Sequence, residues 1–293
     1  MPCFPSANSS TRASPCRLGV CSWSLRPESA EELAGLIPGL GVVGVQLALG
    51  PLVDRPESWR GVKSQLAAVG APLLSGMFAP LGEDYSTLES IARTGGVRPD
   101  ATWEANLTRA GACARAAEEL GLRLVTFHAG FLPHDHTDPE RHKMIDRLQQ
   151  LAAVFARCGC SVALETGQET AATLAEVMRE LDDPRIGVNF DPANMILYGM
   201  GDPVEALARL APWVLQVHAK DACASAAKGA WGREVPIGEG EVDWRRFLAT
   251  VAALPRSVDL VIEREAGAAR SGDVARGVAR LRQVLANPSP RPG

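Results

Sequence analysis

The chain is short of the features that mark several large protein classes. Histidine is scarce, five in 293 residues, and there are only two tyrosines. Basic residues do not outnumber acidic ones: 30 Lys and Arg stand against 34 Asp and Glu, for a net charge of −4. Without a basic stripe, a protein that tracks a nucleic-acid backbone is disfavoured. No apolar run reaches the ~18–20 residues that a membrane-spanning helix needs. The N-terminal stretch MPCFPSANSSTRASP lacks the apolar segment of a secretory signal. The cysteines (Cys3, Cys16, Cys21, Cys113, Cys158, Cys160 and Cys223) are odd in number and contain no CxxC pair. They read as free thiols in a reducing compartment, and with the missing signal they lead to an expected cytoplasmic location. No Walker motif is present and no GxGxxG follows the first apolar run, so the usual phosphate-cradling turns are missing.

What is present is a regular alternation. Eight short apolar runs recur at 18–23, 42–48, 72–78, 122–128, 161–165, 186–191, 213–218 and 259–263. Segments of helical periodicity lie between them, clearest at 101–120, 139–159 and 242–254. Helix starts carry capping residues: Thr137 or Asp138 before Pro139, Asp202 before Pro203, and Asp243. Gly41, Gly121 and Gly159 punctuate the returns into strands. Eight strands alternating with helices predict an α/β protein, a (β/α)8 TIM barrel, in preference to a doubly wound open sheet. The expected organisation is an unstructured segment over 1–15, one barrel domain over 16–287 and a short tail over 288–293. Residues 79–100 show no periodicity and follow the third strand, which suits a lid or a substrate wall.

Four of the runs end in a polar residue: SVALE in Glu165, IGVNFD in Asp191, WVLQVH in His218 and DLVIE in Glu263. In a barrel, C-terminal strand ends converge on one mouth, where chemistry is built. Three carboxylates and one imidazole form a ligand set for a divalent cation. Carboxylate-rich ligation favours Mn2+ or Mg2+, and the imidazole admits Zn2+ or Co2+. Each residue alone could be a helix cap or an arginine partner; four together at one mouth would repel one another without a cation. Glu265 shares the face parity of Glu263 and is an alternative ligand, whereas Arg264 is expected to point into the helix layer.

Further candidates surround this set. His128 ends the fourth run and is expected in the pocket, on substrate oxygens or a second cation. His134, His136 and His142 have ligand-like spacing but read more simply as a solvated loop. Lys220 alternates to the same side as His218 and could reach substrate oxygens or form a salt bridge. Arg233, in the glycine-rich loop GAWGREVPIGEG, could bind a phosphate or a hydroxyl-rich group. Trp23 and Phe78 end the first and third runs and could wall a sugar face, or simply pack in the core.

The segments FDPANMILYGMGDPVEAL, VHAKD, PIGEGEVDW and IERE resemble the sugar phosphate isomerase/epimerase family of xylose isomerase-like TIM barrels. That superfamily includes ketose 3-epimerases, inosose isomerases and dehydratases, and endonuclease IV. The resemblance implies one divalent metal ion held by Glu165, Asp191, His218 and Glu263, the set already reached from strand ends. It departs at Asn194, where the ketose epimerases carry a substrate-binding His. The implied activity is a divalent-metal-dependent isomerase or epimerase acting on a sugar, sugar phosphate or polyol. It would abstract a proton next to a carbonyl through a metal-stabilised enediolate, with Glu165 and Glu263 as the proton-transfer pair. Loss of a β-substituent would instead make a keto-sugar dehydratase or a 3-keto-glycoside lyase. An endonuclease IV-like phosphoesterase and a non-catalytic sugar-binding barrel are the remaining alternatives. The expected partner is a small sugar or polyol, with no nucleic acid and no membrane; a homo-oligomer is compatible with the sequence.

Overall fold

A computed structural model describes residues 16–227 and 229–287. The segments expected to be unstructured, 1–15 and 288–293, lie outside the described residues.

Eight parallel strands close into a barrel. In chain order they are β1 (Leu18–Cys21), β2 (Val45–Ala48), β3 (Leu73–Met77), β4 (Leu124–Phe127), β5 (Ser161–Glu165), β6 (Ile186–Phe190) and β7 (Val214–Ala219). The two strands of a hairpin, β8 (Asp221–Cys223) and β9 (Arg233–Val235), come before the last barrel strand, β10 (Asp259–Ile262). Each strand pairs with its sequence neighbour, and β10 closes the ring between β7 and β1. The eight predicted strands are therefore the eight barrel strands. The antiparallel β8–β9 hairpin is an addition, set over the mouth by the loop after β7.

Side-chain period dictates the layering. Val188 and Phe190 turn outward to the helices, while Asn189 shares the inner face with its partner Glu165. Helices present one apolar stripe to this surface. In Pro139–Arg157 the buried Met144, Leu148, Leu151 and Phe155 recur at three- and four-residue spacing. Asp138 caps that helix by accepting from the Glu140 N–H, with Pro139 in the first turn, and Gly121 ends Asp100–Leu120 at φ 74°. The stretch 79–100 is not wholly irregular: Leu88–Thr94 is helical, started by a capping box between Thr87 and Ser90. Cys158 and Cys160 lie at the helix-to-strand turn before β5, and the six described cysteines are free. Among the described residues no helix is long and apolar enough to cross a membrane.

The inside of the barrel is polar below the mouth. Gln46, Ser75, Thr126, Asn189 and Gln216 are all buried. Ser75 donates to Gln216 Oε1 (2.5 Å), Gln216 Nε2 to Asn189 Oδ1 (3.2 Å), and Gln46 Nε2 to Thr126 Oγ1 (2.8 Å). This satisfied network forms the floor of the site.

Candidate metal and active site

Glu165, Asp191, His218 and Glu263 are brought together: each offers one ligand atom, and these atoms lie within 4.8 Å of one another. All four side chains are buried, His218 and Asp191 completely. His218 Nδ1 stands 3.4 Å from Glu165 Oε1, 3.4 Å from Glu263 Oε2 and 3.7 Å from Asp191 Oδ2. Asp191 is both cap and candidate ligand. Its Oδ1 accepts from the N–H groups of Ala193 (2.8 Å) and Asn194 (3.0 Å), starting the helix Pro192–Leu197. Its Oδ2 has no hydrogen-bond partner, and neither has His218 Nδ1. Two orphaned buried atoms facing two further carboxylates fit a divalent cation, which would satisfy all of them.

Second contacts set the orientation of each ligand. Glu165 accepts from Asn194 Nδ2 (3.1 Å) and Asn189 Nδ2 (3.4 Å), and His128 Nε2 lies 3.5 Å from its Oε1. Glu263 accepts from the Trp23 indole (2.6 Å) and Lys220 (2.9 Å). Burial alone would raise all three carboxyl pKa values. For Glu165 the charges of His128 and His218 outweigh it; for Asp191 and Glu263 Lys220 does so, helped by His218. All three carboxylates are held below their ordinary range and stay ionised at neutral pH. Cys21 also reaches His218, with Sγ 3.8 Å from Nε2, the nitrogen turned away from the carboxylates. Burial pushes its thiol up to about 12, so it contributes no thiolate.

The neighbouring candidates divide. Trp23, Phe78, His128, Asn194 and Lys220 all line a cavity of about 410 Å³ above the ligand set. Trp23 does so from a helical turn, Ser22–Leu25, because β1 ends at Cys21, two residues before the predicted end. Lys220 forms salt bridges with Glu263 and Glu265. Arg264 points into the helix layer, paired with Glu234 and Asp273. Arg233 does not join the lining: it is exposed on β9. In the hairpin, Arg233 pairs with Cys223 and Glu234 with Ala222, and alternation turns Glu234, not Arg233, toward the cavity. His134 bonds Thr173 and His136 bonds Glu180, away from the ligand set.

Some positions lining the cavity escape a reading of strand ends. Glu83 and Tyr85 enter the wall from the segment after β3, and Tyr198 and Trp231, 4.8 Å apart between ring centroids, enter from the loops after β6 and β8. Gln46 and Asn189 sit under the candidate ligands. Their signal was a polar residue inside an apolar run, with Asn189 two positions before Asp191.

A match to the family described as xylose isomerase-like TIM barrel covers residues 38–284. The solved structure of a xylose isomerase domain protein from Planctomyces limnophilus is 31% identical, superposes with a TM-score of 0.80, and is matched over 85% of this chain and 91% of that one. The 3-dehydroshikimate dehydratase of Bacillus anthracis is 26% identical over 133 residues, 40% of this chain. That match spans 47% of the dehydratase, about half its length. The 3-keto-D-glucoside 4-epimerase of E. coli shares the fold at 20% identity, with a TM-score of 0.68 over 92% of this chain and 99% of its own.

Proposed function

From the premise that the chain belongs to the xylose isomerase-like TIM barrel family, we propose that it is a divalent-metal-dependent isomerase or epimerase of a sugar or polyol-derived ketone. Glu165, Asp191, His218 and Glu263 would hold the ion. A divalent cation there polarises a carbonyl and stabilises the negative charge that develops on oxygen when the neighbouring C–H is deprotonated. The observation that carries this reading is the pair of buried orphans, His218 Nδ1 and Asp191 Oδ2, facing Glu165 and Glu263.

The chain's own groups supply the proton traffic. Glu165 on β5 and Glu263 after β10 are separated around the ring by β6 and β7, so they flank a substrate held at the centre. Both are held ionised, by different partners: imidazoles at Glu165, an ammonium and an imidazole at Glu263. Glu165 would take the proton next to the carbonyl; Glu263, ionised at rest, would relay a proton from the Lys220 ammonium that donates to it (2.9 Å) to the other side, and the proton on Glu165 would return to solvent after release. Delivery to the same carbon inverts it; delivery to the neighbouring carbon isomerises the sugar. Trp23 and Lys220 hold Glu263 in place, and Asn194 holds Glu165.

A second reading is favoured by the similarity to a dehydratase. The same deprotonation followed by loss of a β-hydroxyl or β-glycosyl group would give a keto-sugar dehydratase or lyase. A nuclease is disfavoured, because the lining carries five glutamates.

The test is metal content beside solvent exchange. Protein purified without chelator is expected to hold about one divalent ion per chain, lost in the Asp191→Ala/His218→Ala double variant. The loaded enzyme is expected to exchange carbon-bound hydrogen of a keto sugar with D2O, seen by NMR. Glu165→Gln and Glu263→Gln should each lower that rate by orders of magnitude, on the scale of ~10²–10⁴-fold for a lost acid–base group. Retained exchange in both variants sinks the mechanism, and no bound metal removes its premise.

A further inference from the structure

We infer that the pocket takes an uncharged polyhydroxylated ketone, a free keto sugar or its glycoside, and rejects substrates bearing phosphate or carboxylate. The inference rests on the metal-dependent reading above and names its substrate class.

In TIM barrels an anionic substrate group is commonly held by the loops after the seventh and eighth barrel strands. Here that place is filled by the protein itself. Glu234, on the hairpin after β7, reaches the segment that follows β10. Its Oε1 accepts from the Arg264 guanidinium (2.7 Å) and the Glu265 N–H (2.9 Å), and its Oε2 from the Ala266 N–H (3.2 Å). A guanidinium and two backbone N–H groups are the donors a phosphate would seek. An internal carboxylate already occupies them, and Arg264 is further engaged by Asp273 at 2.9 Å.

The remaining cation is equally committed. An ammonium has three N–H donors. Those of Lys220 meet Asn194 Oδ1 (3.2 Å), Glu263 Oε2 (2.9 Å) and Glu265 Oε2 (3.1 Å). Among the described lining residues there is no arginine, and His128, the other basic group, faces Glu165. Five glutamates line the cavity. Even with a divalent cation bound, the three ligand carboxylates, Glu83 and Glu265 outnumber its two charges and those of Lys220 and His128. An anionic substituent would enter a site of its own sign with no free ammonium or guanidinium to meet it; the lining nitrogens without a partner, Trp231 Nε1 and His128 Nδ1, serve a hydroxyl or carbonyl oxygen equally well. The rest of the wall suits a neutral sugar: Trp23, Phe78, Tyr85, Tyr198 and Trp231 offer apolar faces to C–H surfaces, while the carboxylates accept from hydroxyls.

The experiment uses the full chain loaded with Mn2+ and matched ligand pairs: a ketohexose against its 6-phosphate, and a keto-glucoside against the corresponding uronate. Solvent deuterium exchange gives kcat/KM for each. The neutral member of each pair is expected to be favoured by ~100-fold or more, as like-charge contact penalises the charged one, and the ratio should shrink as salt rises. Glu234→Ala, which frees Arg264 and two N–H groups, should bring the phosphorylated member closer to its neutral partner. Inorganic phosphate should bind the variant and not the parent. Should Glu234→Ala fail to fold, the wild-type ratios decide alone. Equal or better turnover of the charged members overturns the substrate class while leaving proton abstraction intact. Absence of exchange with either member of every pair overturns the underlying reading, and the inference with it.

Discussion

Gln46 Oε1 lies 2.8 Å from His218 Nε2, and this contact decides which imidazole nitrogen faces the carboxylates. The amide of Gln46 cannot turn around, because its Nε2 donates to the Gly76 carbonyl (3.3 Å), which can only accept. Its oxygen is therefore the end presented to His218, and Nε2 must carry the proton. Asn189 Nδ2 approaches the same nitrogen at 3.1 Å but also reaches Glu165 Oε2 at 3.4 Å; the Gln46 contact is the shortest of the three. Nδ1 is left to the ligand centre. Gln46→Met keeps much of the volume and removes the acceptor. Its cation affinity should fall about 10–100-fold, as for lost second contacts to a ligating histidine. Gln46→Glu keeps an acceptor and should stay nearer the parent. Competition against a fluorescent chelator measures both, and unchanged affinity in Gln46→Met would remove the role assigned to this contact.

A cation bound as proposed would compete with a proton at His218. Burial presses its pKa down, but the carboxylates of Glu165, Glu263 and Asp191 around it press it up by more, so the cation-free protein keeps a proton on Nδ1 at neutral pH. The three carboxylates are shifted the other way and are already ionised there. The sign follows: affinity should rise with pH up to the raised histidine pKa, with about one proton released per cation bound. Calorimetry in two buffers of different ionisation enthalpy counts that proton. Equal heats in both buffers between pH 6 and 8 would contradict it.

Asp221 is a structural anchor beside the site. Its buried carboxylate accepts from the N–H groups of Ala222 (2.9 Å), Gly238 (2.7 Å) and Val242 (3.2 Å) and from the Trp244 indole (2.8 Å). Gly240 is required here, since a Cβ on it would stand 2.1 Å from Asp221 Oδ1. Asp221→Ala leaves these donors unpaired and should cost about 3 kcal/mol or more, given ~1–3 kcal/mol for each buried group left without a partner. Urea denaturation reads the loss, and a change below ~1 kcal/mol would refute it.

Much of this architecture was legible because period and punctuation agree with it. The eight apolar runs are the barrel strands, and the polar residues closing four of them converge because parallel strands bring their C-terminal ends to one rim. The floor was less legible. Gln46 and Asn189 interrupt apolar runs, and only closure of the ring, which sets β2 across from β7, turns those interruptions into contacts with His218. The hairpin was missed because three-residue strands carry no measurable periodicity. That miss sent Arg233 to the pocket in place of Glu234, and pairing across the hairpin reverses the two.

The wall opposite Lys220 depends on a backbone contact that only glycine allows. Gly96 has φ +63°, and a Cβ there would stand 2.1 Å from the carbonyl carbon and oxygen of Ala129 and 2.3 Å from the Gly130 nitrogen. All three are backbone atoms of the loop after β4 and cannot swing aside. The contact is held on both flanks: Gly96 N–H donates to Glu83 Oε1 (2.9 Å) and Val97 N–H to the Ala129 carbonyl (3.0 Å). Through Glu83 it seats the segment that carries Tyr85 into the cavity wall. Gly96→Ala must separate the two loops, while the ligand set on β5, β6, β7 and β10 stays in place. Cation content should therefore match the parent, KM for the substrate should rise, and stability should fall by about 1–3 kcal/mol. Gly35 is the control. It lies exposed in the helix Ala30–Leu36 with nothing within 4 Å of an added Cβ, so Gly35→Ala should stabilise by ~0.5–1 kcal/mol and leave KM unchanged. Thermal melts and exchange kinetics on both variants separate the cases: a KM shift in both, or in neither, would mean that the loop contact does not position the wall.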